Sequence, residues 1–81
     1  MTDTSLARQD SSVSCDEAVR IAQADAENAY RNLSIYRIAI SLEDEGWQVD
    51  YEPKDHNLQG GGPHYLIDSR TGEIISKRYD Q

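Results

Sequence analysis

The sequence predicts an α+β domain in the order α-β-β-β-β, one N-terminal helix packed on a four-stranded antiparallel sheet. Three observations carry this. Apolar residues recur at three- and four-residue spacing from Cys15 to Leu33, and they alternate at period two over 34–42 and 47–51. A glycine-rich break at 60–63 then opens a hairpin that turns through Asp68-Ser69-Arg70-Thr71-Gly72.

The first twelve residues are polar and without periodicity, which predicts a disordered lead-in over 1–12 and a single domain over 13–81. Ser14 followed by Glu17 is a capping box, with Val13 and Ala18 placed as its hydrophobic staple and Asp16 and Glu17 at the positive end of the helix dipole. The helix is expected over roughly 15–32. Its buried stripe is expected to hold Cys15, Val19, Ala22, Ala26, Ala29 and Leu33 with Ile21 alongside, and Arg20, Gln23, Asp25 and Glu27 turned outward. The alanines imply a close approach to a sheet.

From Ser34 to Leu42, Tyr36, Ile38, Ile40 and Leu42 share one face and Arg37, Ala39 and Ser41 the other, the pattern of a strand. Glu43-Asp44-Glu45-Gly46 makes a tight acidic turn. Trp47, Val49 and Tyr51 alternate with Gln48, Asp50 and Glu52 in an antiparallel second strand that Pro53 ends. After a polar loop over 54–62, strands near 64–67 and 73–79 form the hairpin. Asp68 is placed to cap its turn and Gly72 to take a positive φ. Apolar residues fall on both faces of this hairpin, as if something covered it from both sides.

Apolar residues are 37% of the chain and there is no Phe, so the core rests on Ile, Leu, Val, Ala, five Tyr and Trp47. A core this thin points to stabilisation by a partner or by self-association. Cys15 is the single cysteine, which rules out an intramolecular disulfide and a thiolate zinc site; it is expected as a small core residue. The net charge of −7, from fifteen acids against eight bases, argues against nucleic-acid binding; it is compatible with a basic protein partner and equally with net acidity that only keeps a small protein in solution. No apolar run approaches ~18 residues and no apolar segment opens the chain, so neither a membrane span nor a signal peptide is expected. The expected compartment is the cytoplasm.

Motifs for catalysis, metals and cofactors fail on inspection. Residues 55–60 begin like a calcium loop, but the twelfth position, which needs a bidentate Glu, is Leu66. His56 and His64 lack an evident third strong ligand and are expected as solvated loop histidines. The glycines at 60–62 are followed by neither Lys-Ser nor Lys-Thr nor a helix, so they do not make a phosphate loop. No nucleophile elbow is present. The expectation is a binder without enzymatic activity, metal or cofactor.

The run Gly-Gly-Gly-Pro-His-Tyr at 60–65, Ile67-Asp68, Thr71-Gly72 and Tyr79-Asp80-Gln81, preceded by Gly46-Trp47-Gln48-Val49, resembles bacterial immunity proteins of polymorphic toxin systems. Those proteins are described as having a nuclear-transport-factor-two-like fold. The resemblance spans roughly residues 16–81 and is sharpest in the last third. A weaker resemblance is to PepSY-type domains, which also pair a helix with strands around Trp-x-Val and an Asp-x-x-Thr-Gly-Glu hairpin. The first resemblance implies a small cystatin-like or nuclear-transport-factor-two-like half-cone that neutralises a cognate toxin; the second implies a module that restrains a peptidase. No family active-site residue carries over.

The partner surface is expected at the acids Glu43, Asp44, Glu45, Asp50, Glu52 and Asp55, joined by Trp47, Tyr51 and His64. Toxins that act on nucleic acids or on phosphate-bearing substrates tend to have basic clefts, which an acidic surface would plug, and charge complementarity speeds the encounter. Trp47, placed between a tight turn and Val49, is expected first as a core anchor and otherwise as an exposed hot spot of that surface.

Overall fold

The capping signal at Ser14 works as the chain chemistry requires. In the computed structural model, which describes residues 12–55 and 61–79, Ser14 is extended and its Oγ accepts a 3.1 Å hydrogen bond from the Glu17 N–H, starting helix α1 at Cys15–Ala29. Of the expected lead-in, residues 1–11 lie outside the described residues, as do 56–60 of the polar loop, and with them His56 and most of the calcium-like segment.

The helix stops earlier than its periodicity suggests. Tyr30 turns extended at φ −125° and ψ 137°, and its ring packs edge-on against Tyr36 and Tyr79, with centroids at 6.0 and 5.8 Å. Two residues on, the Asn32 carboxamide oxygen accepts from the Ser34 N–H at 3.0 Å and its hydroxyl at 2.7 Å. Such local bonding competes with continued helix. Four strands follow: β1 (Tyr36–Glu43), β2 (Gly46–Pro53), β3 (Pro63–Ile67) and β4 (Ile74–Tyr79). They form an antiparallel sheet in the order β1-β2-β3-β4. The expected α+β architecture is the one observed.

The core lies between α1 and the central strands β2 and β3. Val13, Ala18, Ala22, Ala26, Val49, Tyr51, Tyr65 and Ile67 are buried, with Ile21, Leu33, Tyr36, Ile40, Trp47 and Ile74 packed around them. Alanines at the contact bring the helix close enough for large side chains of the sheet to fill the interface. The helix is nonetheless rotated from the expected phase. Ala18 replaces Val19 on the most buried line, Cys15 and Ala29 are exposed, and Asp25 turns toward the sheet instead of outward.

The rotation follows from polar chemistry. Asp25 accepts hydrogen bonds from Tyr65 Oη at 2.9 Å, Tyr79 Oη at 2.6 Å and Lys77 Nζ at 2.9 Å, which satisfies a half-buried carboxylate from two strands at once. All five tyrosines of the sequence also join in one edge-to-face chain, Tyr79–Tyr30–Tyr36–Tyr51–Tyr65. Each such pair adds about 0.5–1.5 kcal/mol beyond its buried area, and here they supply what Phe would in a larger core.

The hairpin turn forms as its sequence suggests. Asp68 Oδ1 accepts from the backbone N–H groups of Arg70 and Thr71 at 2.8 and 3.1 Å, and Gly72 takes φ +81°. This turn also holds the start of the helix, because the Val13 N–H donates to the Ser69 carbonyl at 2.9 Å while Trp47 Nε1 donates to the Val13 carbonyl at 2.8 Å. Of the expected double cover over the hairpin, only the helix side is seen among the described residues: Ile75 in β4 is 48% exposed.

Candidate functional site

Register decides which side chains meet on the sheet face opposite α1. Arg37 lies beside Glu52; Ala39, Asp50, His64 and Arg78 form one cross-strand row, and Ser41, Gln48, Leu66 and Ser76 the next. Directly opposed residues on one face sit close enough to interact. Asp50 accepts from Gln48 Nε2 at 2.9 Å and from His64 Nδ1 at 2.7 Å through the same Oδ1. In the neutral imidazole this fixes the proton on Nδ1 and makes Nε2 the basic nitrogen. His64 is thus a half-buried strand residue with an orienting carboxylate, not the solvated loop histidine that its glycine-rich surroundings suggested. A shallow groove of about 370 Å³ runs past Gln48, His64, Leu66, Ser76 and Arg78. It is a hydrogen-bonding surface of mixed charge.

A second surface lies at the end of the sheet where two turns converge. Glu43, Asp44 and Glu45 are exposed at the β1–β2 turn, and Asp44 and Glu45 line a groove of about 330 Å³ together with Asp68, Ser69 and Arg70 of the β3–β4 turn. Ser41 Oγ donates to Glu43 at 2.7 Å and aims that carboxylate along the open face. The backbone N–H of Arg70, and then that of Thr71, hold the Asp68 carboxyl below its usual range, so it is charged at neutral pH. The turn is tight because Gly46 takes φ +153°, where a Cβ would collide with the Ile67 carbonyl oxygen.

The nine residues expected at the partner surface therefore divide. Glu43, Asp44 and Glu45 stand at the turn end, and Asp50, Glu52 and His64 on the open face. Asp55 follows β2 at the strand end away from that turn. Trp47 is half-buried on the helix side with its indole N–H spent on Val13, which makes it a core anchor. Tyr51 is 2% exposed under the helix and offers no surface to a partner. Sequence reasoning missed Asp68 and Arg70, which join the acidic end, and Gln48, Ser76 and Arg78, which complete the open face. Only strand register brings them in.

No family model, curated protein or solved structure matches this chain. Its surface chemistry must therefore speak for function. Among the described residues no group of three or more His, Cys, Asp and Glu is arranged to hold a metal ion, and no described helix is long and apolar enough to cross a membrane.

One further feature lies between α1 and β1. A groove of about 390 Å³ is lined by Glu27, Tyr30, Arg31, Leu33, Ile38 and Tyr51 among others. At its floor Tyr51 Oη is buried with no hydrogen-bond partner among the described residues. Burial, and after it the charge of Glu27, push that hydroxyl's pKa up, so it stays a neutral phenol.

Proposed function

We propose that this chain is an immunity-type protein that binds a cognate toxin domain in the cytoplasm and blocks it, presenting the acidic end of the sheet to a basic cleft. The observation that carries this reading is the convergence of the two turns, which sets Asp68 beside Asp44 and Glu45 at one end of the sheet. Carboxylates held on strand ends keep their positions on binding, so less ordering entropy opposes association. The adjoining open face, with Asp50, His64 and Gln48 already hydrogen-bonded to one another, supplies a polar rim.

The test is growth of a host expressing the reading frame immediately upstream of this gene, with and without this chain supplied in trans. Rescue from toxicity supports the proposal and identifies the partner. A harmless upstream product, or killing that continues regardless, overturns it. The alternative, a PepSY-like module restraining a peptidase, rests on the Asp68-x-x-Thr71-Gly72-Glu73 turn packed against the helix start. Inhibition of a peptidase in place of rescue would select it.

A further inference from the structure

The outer edge of β1 is complementary to itself. The Lys54 N–H donates to the Ile35 carbonyl at 2.9 Å, so odd-numbered residues of this segment direct their backbone toward β2. By the alternation of an antiparallel ladder, Ile38, Ile40 and Leu42 direct their N–H and C=O groups away from the sheet. This edge is eight residues long and contains no Pro, no Lys and no β-bulge, three of the devices by which natural edges avoid pairing; its charges are Arg37 and Glu43, one near each end. Ile38 and Leu42 are 40% and 52% exposed because α1 packs mainly over β2 and β3, and among the described residues nothing covers these two side chains of β1.

We infer that β1 pairs antiparallel with β1 of a second copy of this chain, the two-fold axis passing between the Ile40 residues, to form a continuous eight-stranded sheet. In that register outward-facing residues meet outward-facing residues, so the ladder bonds form. Ile38 lies opposite the partner's Leu42, twice by symmetry, and covers the exposed apolar side chains on the helix side. On the open face Arg37 lies opposite the partner's Glu43, also twice. Arg37 is available for this, its side chain being 64% exposed and 3.5 Å from its present partner Glu52. A slip of two residues puts Arg37 opposite Ser41 or Glu45 in the turn and loses the ion pair. A slip of one residue sets outward groups against inward ones and loses the hydrogen bonds. Charge and hydrogen bonding thus select one arrangement. Such an isologous contact closes on itself and stops at two copies.

The test is sedimentation equilibrium of the full chain over a concentration series, with Arg37→Glu, Glu43→Arg and the double exchange. The wild type is expected to show a monomer–dimer equilibrium. Each single substitution sets like charges across both pairs and weakens the dimer by about ten-fold or more, and the double exchange restores it. Restoration excludes misfolding as the cause of the loss, and a circular dichroism spectrum of each variant checks the fold directly. A wild type that stays monomeric at every concentration overturns the inference. So does a dimer indifferent to Arg37→Glu, or a loss that the double exchange fails to reverse.

Discussion

The carboxylate of Asp25, in the middle of the helix, accepts a 2.6 Å hydrogen bond from the hydroxyl of Tyr79 on the last strand. That bond, together with those from Lys77 and Tyr65, holds the Asp25 carboxyl below its usual range against the opposing effect of burial. A group whose folded pKa is depressed adds stability at pH values above its unfolded pKa of about 3.9 and loses it as pH falls through the folded value. Asp25→Asn is therefore expected to cost about 1 kcal/mol near neutrality and to flatten the acid limb of a plot of melting temperature against pH. The Tyr65 hydroxyl moves the opposite way, raised by burial and then by its bond to Asp25. Its contribution is complete below the ordinary tyrosine value of about 10 and is lost as pH rises beyond it. An acid limb identical in wild type and variant would show that Asp25 does not link the helix to β3 and β4.

Tyr51 sits at the other extreme of polar satisfaction. Its ring is buried in the tyrosine chain, but its hydroxyl has no partner among the described residues. A buried hydroxyl without a hydrogen bond costs about 1–3 kcal/mol relative to one that is paired. Tyr51→Phe keeps both edge-to-face contacts and removes the orphan. It should be neutral or raise the melting temperature by several degrees, at about 4–8 °C per kcal/mol for a domain of this size. A drop of the same amount would mean that the hydroxyl has a partner in solution.

Gly72 carries φ +81° in the hairpin turn, and a Cβ there would stand 3.1 Å from Ile21 Cδ1. Gly72→Ala adds left-handed strain to that crowding, and a loss of about 1 kcal/mol or more in denaturant midpoint is expected. Because the Ser69 carbonyl receives the Val13 N–H, the loss should also appear as faster amide exchange in the first turn of α1. Unchanged exchange at 13–17 would separate the turn from the helix start.

How far the sequence spoke for itself can be judged from the two ends of α1. The start was legible because Ser14 and Glu17 act within one turn of each other, and their bond depends on nothing distant. The phase was not. An Asp within an alanine-rich helix looks solvent-facing unless its donors are known, and those of Asp25 lie on strands 40 to 54 residues later. The same reasoning applies to the surface. Counting acids along 43–55 made one patch, but strand alternation sends Asp50 and Glu52 to the open face, and the β3–β4 turn contributes Asp68 to the acidic end. His64 and Asp50, fourteen residues apart, meet only through the β2–β3 register. Local chemistry was readable and long-range pairing was not.

The acidic end gives the most direct check on the proposed role. Asp44 and Glu45 are exposed and take no part in the core, so replacing both with Lys should leave stability within about 0.5 kcal/mol. Against a toxin with a basic cleft, the same change removes attraction and adds repulsion along the approach path. The association rate measured by stopped flow at low salt should fall about ten-fold or more, and the gap between variant and wild type should shrink as added salt screens both. Dissociation should change less, since solvent-exposed charges such as these act chiefly on the encounter. An unaltered association rate at low salt would remove this end of the sheet from the interface and leave the open face around Asp50 and His64 as the contact.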